Sequence, residues 1–169
     1  LSHLQPLAGQ TVLVTGASGG IGAAIVERLS AEGARPVIHY GRDRQRAEAL
    51  LGQLGGNGLI VQADLSSPDG AFALWRDALS VAGRIHAVVN NAGVRNEISI
   101  DADPADWRAA WQKEFQVNFF AAAISAKRRS CISSSMAAGG SSIWPAAPVS
   151  AATQPTPCLM GRRRRRSPI

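Results

Sequence analysis

Cysteine is scarce in this sequence, long apolar runs are absent, and residues 127–169 hold no acidic side chain at all. The two cysteines, Cys131 and Cys158, are too few for a disulfide framework and lack metal-ligand spacing, so two free thiols and no metal site are expected. No stretch approaches the ~20 apolar residues of a membrane-spanning helix, and the start shows no charged-then-apolar leader pattern. A soluble, cytoplasmic chain without a membrane partner is therefore expected. The missing acids also explain the net charge of +6. Residues 1–126 carry ten Lys or Arg against twelve Asp or Glu, whereas residues 127–169 carry eight basic residues alone. A basic balance commonly signals nucleic acid or an anionic surface, but here it comes from the last quarter, and the rest gives it no support.

What is present is a repeating grammar. Thr11 to Thr15 is a short β-branched run that ends in glycines, and Ile21 to Glu32 follows with Ile21, Ile25 and Leu29 at helical spacing. Gly33 stops that helix. Pro36 to Tyr40 reads as a second strand, and Asp43 caps a helix to about Leu54 with Ala47, Leu50, Leu51 and Leu54 as its stripe. Leu59 to Ala63 is a third strand ending at Asp64. Ser67 is the expected N-cap, with Pro68 at the first helical position, of a helix to about Ala82. Ile85 to Val89 is a fourth strand, apolar except for His86, as when helices cover both faces. Asp103 and Pro104 open a long helix through Trp107, Trp111, Phe115 and Phe119. Strands alternating with helices imply right-handed crossovers and an α/β, Rossmann-like, doubly wound parallel sheet of order 3-2-1-4. From Ser125 the grammar fails, and a tail rich in Ser, Ala, Gly and Pro with the block Arg162 to Arg166 predicts disorder. The expected division is a nucleotide-binding domain over 1–126 and an irregular basic tail over 127–169.

The first turn carries the chemistry. Thr15-Gly16-Ala17-Ser18-Gly19-Gly20-Ile21-Gly22 joins strand to helix: Gly16 for the tight turn, Gly20 for backbone approach to a pyrophosphate, Gly22 for close helix packing. The free N–H groups of the helix start suit phosphate. Choice of dinucleotide falls to the end of the second strand, where an acid would bond the ribose 2′-OH of NAD and a guanidinium would accept the 2′-phosphate of NADP. The residues there are His39-Tyr40-Gly41-Arg42, with Arg44 and Arg46 following, so NADP is favoured over NAD. A solvated basic face on the next helix is the plainer alternative.

Together with Asp64 after the third strand, Asn90-Asn91-Ala92-Gly93 after the fourth and Val117-Asn118 in the next helix, that turn resembles the ordered motifs of the short-chain dehydrogenases/reductases. The resemblance runs from the first strand to about Ala122. It implies an oxidoreductase that moves a hydride between a nicotinamide cofactor and a small-molecule carbonyl or alcohol. It places Gly16, Ser18, Gly19, Gly20, Ile21, Gly22, Tyr40, Arg42, Asp64, Leu65, Asn90, Ala92 and Gly93 around the cofactor, and Asn118 in a proton relay. A solvated loop carboxylate for Asp64, and a locally bonded helix amide for Asn118, are the structural alternatives.

The resemblance also implies a tyrosine with a lysine four residues on, and a serine upstream. Tyr40 is the single tyrosine, Lys113 and Lys127 are the only lysines, and no Tyr-x-x-x-Lys occurs. Ile132-Ser133-Ser134-Ser135 mimics a serine strand but lies too close behind Asn118 for a helix, a loop and a strand to fit between. One hypothesis is that the gene is read out of frame after about Ala122. Regrouped codons of Ser142 to Ala146 permit Val-Asn-Met-Ala-Ser, those of Leu159-Met160-Gly161 permit Tyr-Gly, and the arginine codons can supply the lysine. A selected nucleic-acid or membrane tail is the rival. As written, the chain is expected to be inactive or nearly so. The alternative of another class is a non-catalytic dinucleotide-binding module or nonfunctional gene product. With later strands missing, Ile85 to Val89 is expected to be an exposed, aggregation-prone edge. Substrate and oligomeric state are not readable.

Overall fold

The computed structural model describes residues 5–137, with side chains to Ser130. Strands β1 (Thr11–Val14), β2 (Arg35–Tyr40), β3 (Leu59–Gln62) and β4 (Ala87–Val89) alternate with helices α1 (Gly20–Ala31), α2 (Arg44–Gln53) and α3 (Gly70–Ala82). Helix α4 (Pro104–Phe115), a π-helical turn (Gln116–Phe120) and α5 (Ala121–Ala137) follow. All three strand pairings are parallel, in the order β3-β2-β1-β4, as the alternation of elements predicts.

The core forms because β1 and β2 are apolar on both faces and helices cover both. Val12, Val14, Ile38 and Tyr40 pack with Val26 of α1 and with Ala47 and Leu50 of α2. Leu13 and Val37 alternate to the opposite face, where α3 buries Ala71, Leu74, Trp75 and Ala78. Complete removal of such side chains from water stabilises by roughly 1.5–3 kcal/mol each.

Several local expectations meet a different outcome. Helix α3 begins at Gly70, not at Pro68, because Ser67-Pro68-Asp69-Gly70 is used as a turn. Gly70 N–H donates to the Ser67 carbonyl (3.0 Å), and Asp69 has φ −93° and ψ −4°. Those are the angles of the third residue of a type I turn, with proline at the second position and glycine at the fourth. Ile21 is 75% exposed and stands outside the apolar stripe of α1. The helix expected from Pro104 through Phe119 is interrupted by the π-helical turn, and its aromatic residues remain well exposed, although Trp107 and Trp111 lie 5.6 Å apart. Helix α5 continues to Ala137, beyond residue 126, where regular structure was expected to end. Alanines at 121–123 and 126 supply helix propensity without an apolar stripe, so periodicity gave no sign of it. Ser133 to Ser135 are helical in backbone, not a strand.

Strand β4 is the edge of the sheet among the described residues. The Arg162–Arg166 block, Cys158 and the segments whose codons were regrouped lie outside the described residues, as does the Cys131 side chain. Among the described residues no helix is long and apolar enough to cross a membrane, and no cluster of metal-ligating side chains occurs.

Candidate functional site

At the carboxyl end of β1 the chain must turn at once into α1, and Thr15 and Gly16 make this possible. Thr15 N–H donates to the Val89 carbonyl (3.0 Å), while its hydroxyl accepts from the N–H groups of Asn91 and Ala92 (2.9 and 3.0 Å). Gly16 has φ +63°, and a Cβ there would stand 2.8 Å from the Ala92 Cα, so backbone conformation and space both demand glycine. Asn91 Nδ2 then donates to the carbonyls of Thr15 and Gly16 (3.0 and 3.1 Å), which stitches the β4 loop to the turn. Gly22 completes the junction: its Cβ would lie 2.4 Å from the Gly16 carbonyl oxygen and 2.6 Å from Asn91 Nδ2.

The first turn of α1 contains no acidic residue, and its N-cap Gly19 provides no side-chain bond. By contrast, α2 and α4 are capped by the carboxylates of Asp43 and Asp103. Helix α1 thus begins with backbone donors and the positive end of its dipole, without a side-chain acceptor. Added Cβ atoms at Gly19 and Gly20 would meet open space or only Arg46, at 3.7 Å, so that rim of the turn is open to a ligand.

A cleft of about 1030 Å³ extends from this turn across the ends of β2 and β3 to α4. Gly16, Ser18, Gly19, Ile21 and Gly22 line it from the turn, Arg42, Asp64 and Leu65 from the segments after β2 and β3, and Ala92 and Gly93 from the segment after β4. The exposed Ile21 side chain belongs to this lining. Asp64 Oδ1 accepts from the Ser66 N–H (2.9 Å) and hydroxyl (2.6 Å). These bonds hold its carboxyl below the ordinary range, with smaller help from the charges of Arg42 and Lys113. The carboxylate is a bonded feature of the β3 turn and lines the cleft as well.

Two residues expected at the cofactor have their side chains engaged elsewhere. Tyr40 is only 4% exposed and belongs to the core between the sheet and α1 and α2. Asn90 sends its Nδ2 to the Ala122 carbonyl (3.3 Å), tying β4 to α5, and the neighbouring Asn91 makes the cleft contacts. Gly20 is left-handed (φ +57°) and sits on the open rim of the turn as the first residue of α1. Asn118 accepts from the Val94 N–H and donates to the Val94 carbonyl, both at 2.8 Å, so its amide bonds a loop 24 residues away and not its own helix.

Sequence reasoning missed other contributors. His39 lines the cleft while bonding Gly16 and Ala63, and Lys113 of α4 and Val117 of the π-helical turn extend the lining. Gly70 is also required, since a Cβ there would fall 1.8 Å from the Asp64 carbonyl oxygen. The signal for Lys113 was available: it precedes Val117 by one helical turn and lies on the same side.

Parallel strands with helices on both faces, and a glycine turn opening into a cleft at the strand ends, define a dinucleotide-binding α/β class. Residues 10–139 match the short chain dehydrogenase family, and this chain belongs to that family. The match continues past Ala122, where the sequence resemblance stopped. Glucose 1-dehydrogenase 2 of Bacillus subtilis is 35% identical over 127 residues, which is 73% of this chain and 48% of that protein. A solved short-chain dehydrogenase/reductase from Serratia marcescens matches with 32% identity and a TM-score of 0.65, over 74% of this chain and 51% of that one. A short chain dehydrogenase from Burkholderia cenocepacia, solved in complex with NADP, matches at 31% identity and a TM-score of 0.66, over 73% and 51%. The chain spans about half the length of the relatives it matches.

Proposed function

We propose that the cleft binds NADP, or NAD more weakly, as the cofactor half of an oxidoreductase acting on a small-molecule carbonyl or alcohol. One observation carries this: the uncapped start of α1, Arg42 and the Asp64 turn converge on one cleft at the strand ends. The nicotinamide, when bound, supplies the hydride chemistry. The chain's own part is to hold the phosphates on the α1 amides and the adenosine end between Arg42 and Asp64. Preference for NADP follows from how the charges are already engaged. Asp43, the first acid after β2, accepts from Arg46 N–H (3.0 Å) and pairs with the Arg46 guanidinium (3.1 Å), which removes it as a ribose ligand. Arg44 pairs with Glu48, while Arg42 lines the cleft. Arg42→Asp is expected to reverse the preference in calorimetric titrations of NADP and NAD. Unchanged affinities would refute the assignment.

Tyr40 supports a second reading, of binding without turnover. It is the one tyrosine in these 169 residues, and its side chain is buried away from the cleft. A general acid/base must reach the reacting oxygen, and a segment read out of frame behind the family-like part would account for the absent Tyr-x-x-x-Lys pair. Oxidation of NADPH in the presence of a carbonyl panel decides between the two readings. Turnover above background would sink the inactive one, and the nucleotide sequence from Phe119 onward, with an intact mass, tests the frame.

A further inference from the structure

We infer that His39 is a positioning residue of the cofactor cleft, its neutral imidazole fixing the distance between the glycine turn and the end of β3. The inference rests on the cofactor reading above. Strand β2 lies between β1 and β3, and the His39 ring bridges the segments that leave both neighbours. The Gly16 N–H donates to Nδ1 (3.0 Å), and Nε2 lies 3.1 Å from the Ala63 carbonyl. The first bond requires an unprotonated Nδ1, so the proton resides on Nε2 and is donated to Ala63. The His39 carbonyl also accepts from Ala17 N–H (2.8 Å), so one residue holds two consecutive amides of the turn.

The consequence for a ligand is geometric. Gly16 opens the turn that presents the α1 amides, and Ala63 immediately precedes Asp64, so the imidazole sets the span between the phosphate end and the adenosine end. Protonation at Nδ1 would place one N–H against another and push Gly16 out of position. Burial favours the neutral ring and holds its titration below the ordinary histidine range. The ring's hydrogen bonds go to backbone groups. The charged groups on the segments around it are Arg42 and Asp43 after β2, Asp64 after β3, Arg95 after β4 and Lys113 on α4. On the face covered by α3, Arg76 and Asp77 pair with each other at the surface. The structure gives none of these a bond to the ring.

The test compares wild type with His39→Gln, whose amide can accept from Gly16 and donate to Ala63 without titrating, and with His39→Leu, which can do neither. NADP is titrated calorimetrically at about pH 8 and about pH 4.5, the lower value set well below an ordinary histidine pKa because burial depresses that of His39. The 2′-phosphate itself gains a proton near pH 6 in every variant, so the difference between wild type and His39→Gln is the readout. Expected are equal affinities of these two at the higher pH, and an additional loss of about five- to tenfold for wild type at the lower, the worth of one hydrogen bond. Wild type and His39→Gln following one pH curve would overturn the inference while leaving the cofactor reading intact. Absence of NADP binding at the higher pH would instead refute the cofactor reading. Hydrogen-exchange protection of the Gly16 amide in cofactor-free protein reads the clamp separately. Protection that falls on acidification in wild type and persists in His39→Gln supports it, and protection indifferent to pH overturns it. If His39→Leu fails to fold, the comparison with His39→Gln carries the test.

Discussion

Alanine at two helical glycines should move stability in opposite directions. At Gly22 the new methyl would fall 2.4 Å from the Gly16 carbonyl oxygen and 2.6 Å from Asn91 Nδ2. Neither can retreat without cost, because the carbonyl belongs to the turn and the amide holds Thr15 and Gly16. Overpacking of this kind costs about 1–3 kcal/mol. Displacing Asn91 forfeits two hydrogen bonds at about 0.5–1.5 kcal/mol each. The gain in helix propensity returns about 1 kcal/mol, so a net loss of about 3 kcal/mol is expected, or roughly a 10 °C fall in Tm for a domain of this size. At Gly52, near the end of α2, a Cβ meets nothing within 4 Å and φ is not left-handed, so Gly52→Ala should stabilise by up to about 1 kcal/mol. Urea unfolding followed by circular dichroism measures both, and NADP affinity should fall at least about tenfold for Gly22→Ala alone. Equal stability of the two variants would refute the reasoning, since only tertiary contact distinguishes them.

Three further outcomes are expected. Stability should decline as pH falls below about 6.5, the unfolded histidine value. His39 and His86 both titrate lower in the folded chain, each chiefly because burial disfavours its charge, with Arg84 and Arg129 adding to His86. The unfolded chain therefore binds more protons in this window, and stability is complete above it and lost as pH drops through it. A denaturation midpoint constant between about pH 7.5 and 5 would contradict this. Asn118→Ala should cost about 1 kcal/mol and raise amide exchange at Val94, whose two backbone groups it bonds; unchanged exchange there would show that the loop is held by other contacts. With β4 as the sheet edge among the described residues, the isolated chain should self-associate with rising concentration, and Val88→Lys should suppress this in sedimentation experiments. A chain monomeric at all concentrations would oppose that view.

The sheet order, the helix caps at Asp43 and Asp103 and the glycine turn were legible because each depends on local chemistry: apolar period, a short carboxylate before a helix, glycine where φ is positive. Gly16 and Gly22 could even be assigned their separate duties from spacing. By itself, then, the sequence determined which segments pair and where the glycine turn joins β1 to α1. Tertiary structure alone decided which polar side chains reach the cleft. Tyr40 and His39 are adjacent on β2, yet alternation buries the phenol against α1 and α2 and directs the imidazole to Gly16 and Ala63. Asn90 and Asn91 divide in the same way between α5 and the glycine turn. A one-residue difference in sequence is a change of face in a strand, and which face meets the cleft depends on the helices that pack there, which no local signal encodes.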